Sequence, residues 1–238
     1  IGEAGGVPPS YSILSDYFPP KQRGLAMGLY SLGIPLGTFA GGLYGTWAAQ
    51  HYGWRVAFFG LAIPGVLIAI LLPLLVREPK RGGLDAGTTE PAAPVKLGTV
   101  IGDFVKSASL VLVALGCSLS AVVGYSLMSW SPAFLMRVQG ATLADIGSLY
   151  SPLIGISVAI GIVGSGYIVD KLGSSNPRAY PLVPAVAFVL AFPLYLMAVS
   201  AKDWHTSVML LAIPQGLTFM YLAPAVAVIQ NLVPPERR

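Results

Sequence analysis

Seven long apolar stretches, separated by short polar or Gly/Pro-containing connections, constrain this chain more than any other feature. They run over residues 1–18, 24–49, 56–76, 109–136, 146–169, 181–201 and 207–232. A helix needs about 20 apolar residues to cross a bilayer, so the pattern predicts six complete spans and one partial span at the start. Apolar residues make up 55% of the chain and charged residues 10%. A soluble domain carries roughly 25% charged residues, so a water-exposed surface cannot be assembled from this composition. The 28 glycines and 20 prolines fit membrane helices, whose neighbours re-satisfy freed backbone groups. The expected class is an all-α polytopic membrane protein.

Charge sorts the connections. Lys21, Arg23, Arg77, Lys80, Arg81, Lys96, Lys106, Lys171, Arg178, Arg237 and Arg238 fall at one end of the spans; Arg55, Arg137 and Lys202 fall at the other. Basic residues accumulate on the cytoplasmic side, so the first group, with the 77–107 connection, is expected there. The net charge of +4 follows from this asymmetry and implies no nucleic-acid partner. Cys117 is the single cysteine, so no internal disulfide is expected.

The 77–107 connection divides the chain. Its first part is rich in Pro, Gly and charge and reads as a linker. Its second part sets Leu97, Val100, Ile101, Phe104 and Val105 at helical spacing, which predicts a short amphipathic helix on the cytoplasmic face. The expected organisation is 1–76, part of one bundle; 77–107, linker and surface helix; 108–238, part of a second bundle.

Within this frame, Gly166-Tyr-Ile-Val-Asp170-Lys171-Leu-Gly173 places G-x-x-x-D-[RK]-x-G in a turn between two spans. That spacing resembles the loop signature of the major facilitator superfamily of secondary transporters, which joins the second and third helices of each six-helix half. The resemblance implies two pseudo-symmetric helix bundles, incomplete here, with residues 146–169 as the eighth helix. The chain then covers roughly the fourth to tenth helices and reads as an internal piece of a longer protein. Gly53-Trp54-Arg55-Val-Ala-Phe58-Phe59 looks like the G-W-R-x-x-F start of the sixth helix. Within the superfamily, the segments Gly2-Glu3-Ala4, Asp16-Tyr-Phe-Pro-Pro-Lys-Gln-Arg23, Arg77-Glu-Pro-Lys-Arg-Gly82 and Trp130-Ser-Pro-Ala-Phe-Leu-Met-Arg137 are most similar to the spinster-like group. That group implies lysophospholipid or sphingolipid-type cargo and proton coupling. Anion–cation symporters, moving organic anions or sugar acids, share the G-E-A and G-W-R-x-x-F pieces and are the alternative.

Candidate functional residues follow from depth and chemistry. Glu3 lies fifteen residues before Phe18, roughly 22 Å from the cytoplasmic end at 1.5 Å per residue. An acid at that depth must be paired or protonated, so Glu3 is the expected proton-coupling residue. Asp170 and Lys171, with Gly166 and Gly173, are expected at the cytoplasmic gate, with Asp16 and Arg23 as partners. Gly33, Gly37, Gly41 and Gly45 overlap as G-x-x-x-G units and predict close helix packing. Tyr125, Ser129 and Trp130 in the seventh helix, and Gln215, Thr218 and Tyr221 in the tenth, are expected to line the cargo cavity. Prolines interrupt both helices near the midplane. Rings and hydroxyls among apolar neighbours suit an amphipathic cargo.

A membrane-embedded enzyme is the competing class. It needs clustered nucleophile, base or metal ligands, and the chain has neither H-E-x-x-H nor G-x-S-x-G; His51 and His205 are expected in outer loops. No cofactor is implied, and with no Walker-type glycine loop the energy source must be a gradient. The expectation is a monomeric secondary transporter in a bacterial inner membrane.

Overall fold

In the computed structural model the described residues are 6–19, 26–27, 29–77, 79, 97–173, 176 and 178–232. Among them every regular element is helical: α1 (Val7–Tyr17), α2 (Gly33–Tyr52), α3 (Trp54–Leu75), α4 (Leu97–Lys106), α5 (Ala108–Arg137), α6 (Leu143–Gly173), α7 (Ala179–Val199), α8 (Trp204–Thr218) and α9 (Leu222–Leu232). Five helical stretches are long and apolar enough to cross a membrane: Trp54–Leu75, Ala108–Arg137, Leu143–Gly173, Ala179–Val199 and Trp204–Val226. Over their described residues α1 and α2 fall below that mark, although each coincides with an expected span. Residues 26–27 and 29–31 are helical ahead of α2.

Helix ends follow local chemistry. Gly53 alone separates α2 from α3, with φ 85°, a left-handed conformation that glycine tolerates. Ser107 caps α5 by accepting from the Leu110 amide at 3.4 Å. Thr142 and Asp145 form a reciprocal capping box at the start of α6. Asp203 caps α8 by accepting from the Thr206 amide at 2.9 Å. His51 and His205 sit in the last turn of α2 and the first turn of α8, not in loops as expected, because both helices extend beyond their apolar runs.

Two spans are not the continuous rods that hydropathy predicts. Residues Ile146–Tyr150 of α6 form a π turn, and a 3₁₀ turn over Phe219–Tyr221 separates α8 from α9. Pro214 and Pro224 bracket the second break. Each proline removes one amide donor, so the hydrogen-bond ladder is weakened on both sides of it.

Packing is dense in the second half of the chain. Leu135 of α5, Ile154 and Val158 of α6, Val208 and Leu211 of α8, and Phe219 form one buried cluster. Helices in lipid gain little by hiding apolar surface from one another, so close approach through small residues and polar links matters more. Gly161 lies against the Gly216 backbone, and a Cβ on Gly216 would stand 2.6 Å from the Ser157 carbonyl oxygen. Ser157 Oγ donates to the Ala212 carbonyl, and Ser207 Oγ donates to the Ala198 carbonyl at 2.8 Å. These contacts tie α6, α7 and α8 together. By contrast α3 buries a single residue, Ala57, and leaves Leu74 and Leu75 about three-quarters exposed. Hydroxyls inside helices are mostly satisfied locally: Thr38, Ser118 and Ser120 donate to the carbonyls four residues back at 2.7–3.0 Å.

Candidate functional site

The contact that joins the first part of the chain to the second is a seam between α2 and α6. Pro35, Phe39, Gly42 and Thr46 face Gly155, Ser151 and Gly147. A Cβ built on Gly155 would be 2.9 Å from the Pro35 carbonyl oxygen and 3.0 Å from the Phe39 Cβ. Glycine at 155 is therefore what lets the two backbones meet. Towards the C-terminal end of α2, a Cβ on Gly42 would run into Ser151, and one on Gly147 into Thr46. An apolar groove of about 270 Å³ runs beside this contact, lined by Leu32, Pro35, Leu36, Phe39, Gly155, Ile156 and Ala159.

The strip expected to pack, Gly33, Gly37, Gly41 and Gly45, has nothing within 4 Å of an added Cβ at any of its four positions among the described residues. The described contact instead uses a neighbouring face of the same helix. The sequence offered a faint signal for it, since Pro35, Gly42 and Thr46 are spaced at seven and four residues.

The six expected cavity residues divide into two groups. Tyr125 and Trp130 are 57% and 68% exposed, and Ser129 is exposed beside them on α5. Tyr221 is half-buried, in the 3₁₀ turn. Gln215 and Thr218 are sealed inside the bundle at 1% and 0% exposure. There Tyr195 of α7, which sequence reasoning did not single out, donates to Gln215 Oε1 at 2.9 Å and lies 3.1 Å from Thr218 Oγ1. Thr218 in turn donates to the Pro214 carbonyl at 2.7 Å. A lone tyrosine in an apolar run is ordinary, and only the fold shows its hydroxyl meeting two polar groups. α5 reaches the same region, for a Cβ on Gly124 would be 3.4 Å from the Phe219 ring.

The loop signature occupies the last turns of α6. Asp170 and Lys171 are exposed. Gly173 sits against α7, where an added Cβ would approach the Tyr180 ring to 2.8 Å. A Cβ at Gly166 would lie 3.6 Å from the Ala223 Cβ, which is ordinary contact. The turn beyond is shaped by Asn176, whose Oδ1 accepts from the Arg178 amide at 3.0 Å. Asp16 is half-buried near the end of α1. Glu3 and Arg23 lie outside the described residues.

Sequence comparison decides what this architecture is. The sequence profile described as Major Facilitator Superfamily matches residues 1–238. The chain belongs to the Major Facilitator Superfamily. It is therefore an integral membrane protein of a family of transporters, with the fold the loop signature implied. It is 32% identical over 243 residues to an MFS-type efflux pump of Mycolicibacterium smegmatis, covering 100% of this chain and 54% of the pump. It is 28% identical over 256 residues to human protein spinster homolog 1, covering 100% of this chain and 48% of that protein. The crystal structure of a bacterial homolog of the human lysosomal transporter spinster, inward-facing and unoccupied, superposes with TM-score 0.74 at 28% identity. That alignment covers 100% of this chain and 55% of the solved one. An occupied inward-facing structure gives TM-score 0.67, also at 28% identity, over 99% and 53%. The spinster-like resemblance is thus found in sequence and in fold, and the chain spans about half the length of the relatives it matches.

Proposed function

We propose that the protein is a proton-coupled secondary transporter of an amphipathic, lipid-like small molecule, working by alternating access. The observation that carries this reading is the α2–α6 seam: two half-molecules touch along glycine, serine and threonine, and an apolar groove runs beside the contact. Small residues let helices approach and slide without unlocking large side chains. In this reading the groove beside the contact faces the cytoplasm, as in an inward-facing carrier, in keeping with the inward-facing relatives it superposes on. Residues 1–76 and 108–238 belong to the two rocking bundles in this reading, and 77–107 joins them on the cytoplasmic side of a bacterial inner membrane.

Cargo is held by the exposed face of α5, with Tyr125, Ser129 and Trp130, and by Tyr221 at the break in the tenth span. Gln215 and Thr218 stand behind that surface and brace it. Rings flanked by an apolar groove suit an acyl chain with a small polar head, the chemistry of a lysophospholipid. Glu3 carries the proton. Asp16, Arg23, Asp170 and Lys171, spaced by Gly166 and Gly173, close the cytoplasmic gate. The transporter acts as a monomer.

The experiment is uptake by the full-length transporter in proteoliposomes, with lysophospholipid and an organic anion as rival cargoes and an imposed pH gradient. The reading predicts gradient-dependent movement of the lysophospholipid, abolished by Glu3→Gln. Gradient-dependent movement of the organic anion alone, or full coupled transport by Glu3→Gln, would sink the corresponding part of it.

A further inference from the structure

We propose that Arg55, held on the face of Trp54 at the start of α3, binds the phosphate of an anionic phospholipid head group. Arg55 Cζ lies 4.4 Å from the centre of the Trp54 ring, and Phe58 meets that ring edge-on, with centroids 6.0 Å apart. Trp54 and Phe58 are 58% and 70% exposed, so the three side chains form an outward surface. Span geometry sets its depth. α3 has 22 residues, about 33 Å at 1.5 Å per residue, against about 30 Å of hydrocarbon. Its first residues therefore emerge among head groups. Ala57 is its single buried residue among the described ones, and exposed apolar side chains carry the surface on from Trp54 towards Leu75. A second helix end marks the same level. Trp47, His51 and Tyr52 close α2 as a row of exposed rings, Trp47 lying 5.3 Å from His51 and 5.6 Å from Tyr52. Gly53 alone separates that row from Trp54, and aromatic residues collect at this depth of a membrane.

Charge selects the partner. A ring face attracts a guanidinium but leaves its five N–H donors in need of acceptors. Among the described residues Arg55 meets no carboxylate, and no Asp or Glu occurs between Arg23 and Arg77. A lone cation at head-group depth is matched by an anion of that layer. Phosphate takes a guanidinium through two parallel N–H···O bonds, and contact with Trp54 holds the planar fork in place before the lipid arrives. A zwitterionic head fits less well, because this surface carries no acidic group to pair with its ammonium. Trp54, Phe58 and Leu61 share one helix face at i, i+4 and i+7, and Leu61 is 50% exposed. The acyl chains then run down this face from the phosphate.

The test uses the full-length transporter in detergent, titrated with phosphatidylglycerol, phosphatidylcholine or inorganic phosphate, with bound lipid counted by native mass spectrometry. One basic side chain at an anionic surface changes affinity about fivefold, so Arg55→Gln is expected to weaken phosphatidylglycerol binding by about that factor. Arg137→Gln removes the same charge from the last turn of α5 and is expected to leave the tightest-bound lipid in place. Full binding by Arg55→Gln, an equal loss in Arg137→Gln, or equal binding of phosphatidylcholine would overturn the proposal. Competition by inorganic phosphate at the lipid's own concentration would make this a free-anion site and overturn it too. Excess lysophospholipid is expected not to displace the bound lipid; displacement would assign that lipid to the cargo surface instead. Should Arg55→Gln fail to fold, a structure of the unmodified transporter in phosphatidylglycerol bilayers decides. Head-group density within about 3.2 Å of the Arg55 guanidinium upholds the site, and its absence overturns it. None of these outcomes depends on the cargo being lipid-like.

Discussion

Gly155 of α6 lies against the Pro35 backbone of α2 so closely that a Cβ on the glycine would stand 2.9 Å from the proline's carbonyl oxygen. Real Cβ atoms do not sit at that distance from a backbone atom, so even alanine at 155 must push the helices apart. The contact joins the chain before residue 77 to the chain after residue 107, which the proposed function assigns to different bundles. Gly155→Ala is therefore expected to slow transport by about tenfold, ~1.4 kcal/mol on the barrier, while leaving the melting temperature nearly unchanged. Initial uptake rates and a melting curve on the same sample check both parts.

Gly161 provides the control. It lies against the Gly216 backbone, between α6 and α8, where the clash is with main-chain atoms. Gly161→Ala is expected to destabilise the fold by about 1–3 kcal/mol through overpacking. The melting temperature falls and KM for cargo stays constant in the protein that remains folded.

Trp130 is 68% exposed and contributes little to the described core, so Trp130→Ala is expected to leave folding intact. If its ring holds cargo, KM rises about tenfold, equivalent to ~1.4 kcal/mol of binding. Tyr195→Phe should behave in the opposite way. It removes the hydroxyl that meets Gln215 and Thr218 and lowers stability by about 1–3 kcal/mol. Paired melting and uptake measurements on the two variants separate a cargo surface from its support.

Much of this architecture could be read from residues alone, for definite reasons. Apolar run length marked the spans, and the periodicity of Leu97, Phe104 and Val105 matched the helix found at Leu97–Lys106. The breaks at Ile146–Tyr150 and Phe219–Tyr221 stayed hidden because a π or 3₁₀ turn changes hydrogen-bond register without changing hydropathy. Exposure was also illegible. Tyr125 and Gln215 both look like polar residues in apolar helices, and only the packing of Tyr195 shows that Gln215 faces inward. The α2–α6 contact through Gly42 and Thr46 runs on a different face from Gly33, Gly37, Gly41 and Gly45, and G-x-x-x-G spacing marks smooth strips without saying which one meets a given partner.

At the start of α8, Asp203 accepts from the Thr206 amide and side chain, which holds its carboxyl below the ordinary value of 3.8. A depressed carboxyl stabilises the fold while ionised. That contribution is fully present above about pH 4 and fades as pH drops through the lower, folded value. Asp203→Asn keeps a capping oxygen but removes the titration. Its melting temperature is expected to lose the part of the acid sensitivity that the wild type shows below pH 4.

The central claim is that the halves must separate along α2 and α6 for each cargo molecule moved. The most direct measurement joins Phe39→Cys to Gly155→Cys in a Cys117→Ser background and follows transport by the full-length protein. The paired Cβ positions are 3.0 Å apart, within reach of a disulfide after a small adjustment. Oxidation is predicted to stop transport and reduction to restore it. Cross-linked protein that transports at the uncross-linked rate would contradict the account.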